Sequence, residues 1–445
     1  MEKLEILDIL IDWNFWKKEI ETGVKRQDLV KQIFEVSKTK EIVVIKGIRR
    51  SGKSTILMQF CKELIISGIR KEDILIINFE DPRFKEMNLD LLNKIYEIYL
   101  TEISPKEKHY VILDEVQSVK GWEKFARYLH ENKKINVYVT GSSSKLLSSE
   151  YSTILAGRHL DIEITPLTFK EYLEFKGINT NNLLEISKNK LIIKREFQNY
   201  LKWGGFPKVV LTDSEKEKKE LLETYFRDII IKDIIFRYKI KEIEKLEDLA
   251  KYYLSNISTL QSFNNIKNVL KLSLDSVERF SKYLSEVYLL SFIKKFSFSS
   301  KEQLLNPRKI YCIDLGLRNN VSFIFSKDFG RLMENIVYNE LKKRKLEIYY
   351  WKSPQQEEVD FMVKEGLKID RLIQVCWSIE DKKTKDREIR GILKACKEFK
   401  KKQGTILTED MEGEETIDKI KIKYLPLWKW LLLSNKAAHQ QRRNR

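Results

Sequence analysis

Cysteine is scarce in this sequence, and its four copies lie far apart. Cys61, Cys312, Cys376 and Cys396 form neither a C-x-x-C pair nor a cluster with histidine. Zinc sites and disulfide frameworks need such groupings. The pattern therefore excludes both classes of site and predicts ordinary buried thiols.

Long apolar runs are missing as well. The longest of them is far too short to cross a bilayer. The first residues, Met1–Glu5, carry acids at positions where a secretory signal is basic and then apolar. We therefore expect a cytoplasmic protein with no membrane partner.

Charge is abundant, and apolar residues are present in a moderate share. The 445 residues are 42% hydrophobic and 33% charged, which is typical of a globular chain with several domains. A total of 83 Lys and Arg against 66 Asp and Glu gives a net charge of +17. Such a charge is compatible with nucleic acid as a partner, and equally with genome bias or adaptation to high temperature.

A phosphate-loop pattern, G-x-x-x-x-G-K-[ST], is met at every fixed position. Its residues are Gly47, Ile48, Arg49, Arg50, Ser51, Gly52, Lys53, Ser54 and Thr55. An apolar run precedes them and helical apolar spacing follows, as this strand–loop–helix motif requires. Backbone N–H groups and the helix N-terminus would surround the phosphates, with Lys53 on the β- and γ-phosphates and Ser54 on Mg²⁺. The motif predicts binding of ATP and Mg²⁺.

Another apolar strand ends in two acids, Asp114 and Glu115. In phosphoryl transfer one carboxylate can hold Mg²⁺ and a second can orient the attacking water. We assign these roles to Asp114 and Glu115, although two acids at a strand end can also be merely solvated. The next strand leads to Thr140 and Ser142, either of which is a candidate polar sensor beside the γ-phosphate. Ser142 or Ser143 could instead cap a helix.

Several motifs together resemble a known family. They are GIRRSGKST, LDEVQ followed by GWEKF, VTGSSSKLL, LAGR and ITPLTFKEYLEF. The combination is similar to archaeal and bacterial AAA+-type ATPases that carry a C-terminal nuclease-like domain of unknown function, and it covers nearly the whole chain. The resemblance implies a core sheet with an extra strand between the two nucleotide motifs. It also makes Arg158 similar to an arginine finger, which contacts the γ-phosphate of a neighbouring subunit in an oligomer; an ion pair within the chain is the alternative.

The predicted fold class is α/β, and its parts follow one another along the chain. They are a P-loop parallel sheet of the ASCE or AAA+ type over residues 1–165, a helical lid over 166–236, a winged helix over 237–300 and a restriction-endonuclease-like α/β domain with a basic tail over 301–445. The lid resembles the small helical lid of an AAA+ module, which senses the bound nucleotide. Arg227 and Arg237 could reach the phosphates from it, or could be solvated or ion-paired.

Three helical patterns between residues 243 and 287 have helix-turn-helix spacing, and the strand-like run 290–296 would begin a wing. The third helix, entered through Ser273, would expose Ser276, Arg279 and Lys282 to a DNA groove or to phosphates. Winged helices also bind proteins, so the fold by itself does not select the partner.

The last domain resembles a restriction-endonuclease-like fold with an incomplete catalytic centre. Glu334 and Asp360 occupy positions that hold the metal in active relatives of that fold, whereas Gln374 and Cys376 stand where those relatives have a carboxylate and a lysine. Two electrostatic contributions to hydrolysis are therefore missing, and we expect a binding scaffold without cleavage. A closing helix over 424–433 and a free basic tail ending at Arg445 would follow.

These patterns lead to one main hypothesis and one alternative. The main hypothesis is a Mg²⁺-dependent ATPase that couples hydrolysis to the binding or remodelling of DNA or RNA, in a possible homo-oligomer. The alternative is a nucleotide-regulated switch of the STAND type, in which the ATP state controls a protein partner with slow turnover and no nucleic acid. Salt-sensitive stimulation of turnover by nucleic acid would separate the two.

Overall fold

The computed structural model describes residues 1–105, 109–133, 135–142, 155, 157–322 and 328–433. Ser143 and the basic tail around Arg445, both singled out above, lie outside these ranges. The chain forms two compact units, Met1–Thr165 and Pro166–Arg445. No helix within the described ranges is long and apolar enough to cross a bilayer. The boundaries expected near residues 236 and 300 stay predictions.

The first unit is a parallel sheet with helices on both faces. Its strands are β1 (Ile42–Lys46), β2 (Ile74–Asn78), β3 (Tyr110–Asp114), β4 (Asn136–Gly141) and β5 (His159–Glu163). Its helices are α1 (Lys3–Trp13), α2 (Gln27–Ser37), α3 (Lys53–Ile66), α4 (Leu89–Glu102) and α5 (Trp122–Lys133), with 3₁₀ turns at Lys71–Asp73 and Val116–Ser118. The strand order is β2-β3-β4-β1-β5, which confirms the predicted P-loop sheet with its extra strand β2.

The composition of the strands explains why this sheet is buried on both faces. β1 and β2 contain Ile, Val and Leu at nearly every position, and alternate side chains enter two separate cores. One core includes α1, α4 and α5, and the other includes α2 and α3. Because the strands are parallel, their C-terminal ends share one edge of the sheet. The chain segments that follow β1, β3 and β4 meet there.

The second unit begins with a run of helices in the region where a lid is predicted. They are α6 (Phe169–Phe175), α7 (Leu183–Lys188), α8 (Lys190–Trp203), α9 (Pro207–Leu211) and α10 (Glu215–Asp228), followed by a π-helical segment, Ile229–Ile235, and by α11 (Phe236–Tyr238). Thr168, Asn182 and Ser214 cap three of these helices by accepting a backbone N–H. The helical pattern expected here is confirmed.

The next elements lie in the region where a winged helix is predicted. They are α12 (Ile243–Ser255), β6 (Leu260–Gln261), α13 (Phe263–Leu270), α14 (Leu274–Glu286), β7 (Leu290–Ile293), α15 (Ser300–Leu305) and β8 (Arg308–Cys312), with an antiparallel sheet of order β6-β8-β7. α14 begins directly after Ser273, as predicted, and the Ser273 hydroxyl caps it by accepting the Ser276 N–H. The expected exposure of Ser276 is wrong, because its hydroxyl lies inward and accepts a hydrogen bond from Ser273 Oγ at 2.9 Å. Arg279 and Lys282 are exposed.

The unit closes with a mixed sheet and packed helices, which confirms the α/β class predicted for this part. The elements are α16 (Leu315–Val321), α17 (Phe329–Lys343), β9 (Glu347–Lys352), β10 (Glu358–Glu365), β11 (Lys368–Val375), α18 (Lys382–Glu398), β12 (Gln403–Thr408), β13 (Gly413–Ile417) and β14 (Ile420–Pro426). Their sheet order is β13-β14-β12-β11-β10-β9. Residues 427–433 are helical. The predicted closing helix therefore starts later than expected, because Tyr424 belongs to β14.

A tight contact joins α8 to α16 within the second unit. The N–H of Gly205 donates to Asp314 Oδ2 at 2.6 Å. Gly204 has a φ of +71°, and a Cβ built there would lie 2.2 Å from Asp314 Oδ1. Burial raises the pKa of Asp314 to about 6, against the effect of the backbone N–H groups that it accepts. Glycine is required because the carboxylate approaches the backbone itself.

Candidate functional site

The phosphate loop leaves β1 at Gly47 and enters α3 at Lys53. Gly47 has a φ of +152°, and a Cβ there would lie 2.0 Å from the carbonyl oxygen of Ile164. Gly52 has a left-handed φ of +96° immediately before the helix. Both positions therefore need glycine. The first N–H groups of a helix have no partners within it, so the turn into α3 offers donors to an anion.

Lys53 and Glu115 meet in the interior of this site. The Lys53 side chain is 3% exposed, and its Nζ lies 3.3 Å from Glu115 Oε1. The carbonyl oxygen of Ile48 lies 3.4 Å from the same Nζ. Burial raises the pKa of Glu115, but the charge of Lys53 and further hydrogen bonds outweigh it and lower the pKa overall. An anionic glutamate thus holds the ammonium that is predicted to bind phosphate.

Asp114 lies between two hydroxyl groups. Its Oδ1 accepts hydrogen bonds from Ser54 Oγ at 3.0 Å and from Thr140 Oγ1 at 2.5 Å. Burial, and then the charge of Glu115, raises the pKa of Asp114 to about 6. Carboxylate and hydroxyl oxygens are hard ligands of the kind that Mg²⁺ prefers. The side chains of Ser54 and Asp114 therefore fit the ion assigned to them from the sequence.

The two sensor candidates occupy different places. Thr140 Oγ1 accepts a hydrogen bond from the backbone N–H of Glu115 at 2.8 Å, in addition to its bond with Asp114. Ser142 is buried beyond the end of β4. The structure thus places the Thr140 hydroxyl in contact with both Asp114 and the Glu115 backbone.

Glu115 has an uncommon backbone conformation for a residue with a side chain. Its φ is +53° and its ψ is +44°, in the left-handed region. Its carboxylate accepts a hydrogen bond from Gln117 Nε2 at 2.6 Å, a contact that the sequence analysis did not identify. Backbone strain of this kind persists where the surroundings impose it, and it is concentrated at functional sites. The position of the Glu115 carboxylate is therefore constrained by its backbone conformation and by the hydrogen bond from Gln117.

Arg26 also supports the loop, although no motif points to it. It is 3% exposed, and its NH1 group donates to the carbonyl oxygens of Ser51 at 3.2 Å and Thr165 at 3.1 Å. Arg49 forms an ion pair with Glu80 at 2.7 Å. The buried Ser51 hydroxyl makes no hydrogen bond, so a polar group inside the loop is left for a ligand. Only the tertiary contacts of Arg26 with Ser51 and Thr165 reveal this role.

Arg158 lies at the other end of the sheet from the loop of its own chain. The parallel register pairs Ile42 with His159 and Lys46 with Glu163, so Arg158 precedes β5 at the edge where β1 begins. Four residues of strand separate the two edges, roughly 13 Å. Its guanidinium forms an ion pair with Glu131 of α5. The alternative of an ion pair within the chain is thus present, and the intersubunit role stays a prediction.

A cavity of about 440 Å³ adjoins the loop within the first unit. Ser54, Thr55 and Met58 of α3 line one side of it, and the segment 18–21 lines another. Trp13 also lines it and donates its indole N–H to Asp81 Oδ2 at 2.8 Å. A ligand held by the loop therefore has open space beside Thr55.

Gln374 and Cys376 stand at the two positions where the nuclease-like pattern is incomplete, and both make hydrogen bonds within the C-terminal domain. Gln374 accepts a hydrogen bond from the Asp360 backbone N–H at 2.9 Å and donates to Glu388 Oε2 at 2.6 Å. Cys376 is buried and donates to the Ser378 carbonyl oxygen, and burial raises the pKa of its thiol to about 11. Both side chains are therefore neutral and engaged in local contacts.

Glu334 and Asp360 contact a residue that the sequence analysis missed, Lys309. Its Nζ lies 3.0 Å from Glu334 Oε1, 2.7 Å from Asp360 Oδ1 and 2.6 Å from Glu358 Oε1. Tyr311 also donates its hydroxyl to Glu334 Oε1 at 2.7 Å. The available signal was a lysine directly before the apolar run 310–313, because a charge buried in such a strand needs partners of opposite charge.

Comparison with known proteins places these features in a family. The sequence matches the AAA domain over residues 39–173, a domain of unknown function (DUF8612) over 194–328 and another (DUF4143) over 329–430. The uncharacterized protein MJ1544 of Methanocaldococcus jannaschii is 36% identical over 406 residues, 88% of each chain. An uncharacterized protein of Haemophilus influenzae is 29% identical over 410 residues, 91% of this chain and 98% of the relative. Among solved structures, the Walker-type ATPase of Pyrococcus abyssi is 13% identical with a TM-score of 0.42, covering 68% of this chain and 99% of its own.

The matched AAA domain contains the loop, the acidic strand β3 and the sensor strand β4. The similarity to MJ1544 extends far beyond this domain, since it covers most of both chains. The AAA+ fold indicates binding and hydrolysis of ATP. The chain therefore belongs to a family of archaeal and bacterial AAA+-type ATPases in which an N-terminal AAA domain is followed by domains of unknown function.

Proposed function

We propose that this protein is a Mg²⁺-dependent ATPase that couples hydrolysis to the binding or remodelling of DNA or RNA. The observation that carries the ATPase assignment is the contact of Lys53 with Glu115 beside the contact of Asp114 with Ser54 and Thr140. Phosphoryl transfer depends on positioning and charge neutralisation, and these side chains supply both.

Each residue has a distinct part in this proposal. Lys53 binds the terminal phosphates and leaves its ion pair with Glu115 as it does so. Ser54 and Asp114 would hold Mg²⁺, which supplies positive charge to the phosphates when bound. Thr140 keeps Asp114 and the Glu115 backbone in place through its hydroxyl. Glu115, released from Lys53, orients the attacking water.

The nucleic-acid part of the proposal is supported by the net charge and by the exposed face of α14. Arg279 and Lys282 are exposed on this helix, and Arg279 forms a surface ion pair with Asp275 at 3.1 Å. Such a pair contributes little free energy and is readily exchanged for a phosphate. The helix at this place in a winged helix is the one that approaches nucleic acid.

Turnover of ATP is expected to rise when duplex DNA or single-stranded RNA is added at about 50 mM salt, and to lose that stimulation near about 200 mM. Replacing Lys282 by alanine should lower the slope of log affinity against log salt by about one. Lys245→Ala is the matched control, because Lys245 of α12 is also exposed but forms an ion pair with Glu242. The measurement is steady-state phosphate release together with binding by fluorescence anisotropy.

Absence of stimulation and of salt-dependent binding would contradict the nucleic-acid part and leave the ATPase assignment intact. A nucleotide-regulated protein switch would then be the better description. Slow basal turnover that no nucleic acid changes is its expected signature.

Arg158 is proposed to complete the site of a neighbouring subunit in an oligomer. Arg158→Ala and Lys53→Ala should each be inactive alone, and mixing them should restore part of the turnover, since some interfaces then contain an intact pair of residues. Arg127→Ala is the control, because Arg127 pairs with the same Glu131 at 2.9 Å but should keep full activity. A fully active monomer in analytical ultracentrifugation, or an active Arg158→Ala protein, would contradict the role.

A further inference from the structure

The carboxylates at the centre of the nuclease-like domain surround an ammonium group. Lys309 Nζ lies 2.6 to 3.0 Å from one oxygen each of Glu334, Glu358 and Asp360. In the part of the chain that the structure describes, no group of three or more His, Cys, Asp or Glu side chains is placed to hold a metal ion. The residues present therefore do not fit the divalent ion that active relatives of this fold hold.

We propose that the Lys309 ammonium takes the place of that divalent ion and makes the domain independent of metal. An ammonium has three N–H donors; Lys309 donates to Glu334 Oε1 and to Asp360 Oδ1, and it forms an ion pair with Glu358 Oε1 at 2.6 Å. The side chain is 3% exposed. One buried ammonium thus contacts the three carboxylate oxygens that a metal ion would need.

The charges at this centre favour the ammonium. Burial by itself lowers the pKa of Lys309, but Asp360, Glu334 and Glu358 raise it well above its ordinary value. A second cation could approach the same oxygens only at a distance of a few Å from the ammonium, where the repulsion between two buried charges is large. Lys309 and a divalent ion therefore exclude each other.

Further hydrogen bonds hold the carboxylates around Lys309 in place. Asp360 has its Oδ2 bound by the Val375 N–H at 2.9 Å, so its second oxygen is also engaged. Tyr311 donates to the same Glu334 oxygen as Lys309. Gln374 accepts from the Asp360 backbone. These bonds join β8, β10, β11 and α17, so the ion cluster ties together elements that are distant in sequence.

Removal of the lysine side chain is expected to convert this centre into a calcium site. Without Lys309 the three carboxylates lose the cation that they share, and two of them, Glu334 and Asp360, are buried. The Tm of Lys309→Ala should therefore fall by roughly 10 °C in the absence of divalent ions. Millimolar Ca²⁺ should restore most of the loss. Ca²⁺ is the probe because its ligand distances of about 2.3–2.6 Å are nearer to the present spacing than those of Mg²⁺. Calorimetric titration should count one more Ca²⁺ per chain than in wild type.

The control is the double variant Lys309→Ala with Asp360→Asn, which loses a ligand and should bind no additional Ca²⁺. The wild type and the variants all keep the phosphate loop. Any Ca²⁺ bound there therefore cancels when the number of ions bound by a variant is compared with the wild-type number. Lys309→Met, which keeps the volume of the side chain but not its charge, serves if the alanine variant does not fold, and either variant can be refolded in Ca²⁺. Wild-type protein that binds an ion lost in Asp360→Asn would overturn the proposal. Lysine variants with no gain in Ca²⁺ binding or in Ca²⁺-dependent folding would also overturn it.

Discussion

Lys53→Ala is expected to weaken ATP binding by about a hundredfold or more. The Lys53 ammonium is a buried cation at the start of α3, and the phosphates it is proposed to bind lose a charge-assisted hydrogen bond when it is removed. Such a bond contributes up to about 3 kcal/mol, and each 1.4 kcal/mol is about a tenfold change in affinity. Calorimetric titration of ATP in Mg²⁺ measures the effect.

Lys62→Ala is the matched control for this change, because Lys62 is an exposed lysine on the same helix. It should bind ATP as the wild type does. Thermal unfolding without nucleotide separates loss of binding from loss of structure, since removal of Lys53 also takes the ammonium away from the buried Glu115 carboxylate. Equal ATP affinity in wild type and in folded Lys53→Ala would overturn the assignment of the phosphate loop.

Glu115→Gln is expected to keep ATP bound while slowing its hydrolysis by about 10²-fold or more. Glutamine has the same shape, so the left-handed turn and the hydrogen bond from the Glu115 backbone N–H to Thr140 can be retained. It cannot act as the charged acceptor that orients the attacking water. Single-turnover hydrolysis and ATP titration on the same protein separate the two effects.

Glu97→Gln, a change at an exposed glutamate of α4, controls for the loss of one negative charge. Its turnover should match that of the wild type. The Glu115 carboxylate competes with phosphate for the Lys53 ammonium, and the glutamine amide carries no charge with which to do so. Affinity in Glu115→Gln should therefore be equal to the wild-type value or higher. A variant that hydrolyses ATP at the wild-type rate would show that another group positions the water.

The nuclease-like domain illustrates how far the sequence reaches. Gln374 and Cys376 are neutral residues at positions where the resemblance leads us to expect a carboxylate and a lysine, so the sequence alone predicts a centre without cleavage. The contacts of Lys309 were not predicted, because this residue comes from a strand that precedes Glu334 along the chain and pairs with β6 and β7. Its partners, Glu358 and Asp360, are about 50 residues further on. The lysine before an apolar run marks a buried charge, but no local pattern identifies the partners of that charge.

The sequence by itself determined the phosphate loop, the acidic strand and the α/β class, because each depends on short-range patterns. A strand, a glycine-rich turn and a helix must follow one another within a few residues to bind phosphate, and apolar periodicity marks the helices. Only the tertiary structure decided that Thr140 contacts Asp114, that Arg26 supports the loop, and that Lys309 occupies the carboxylate centre. These choices depend on which side chains meet across a sheet or between layers, and burial then makes every charge find a partner.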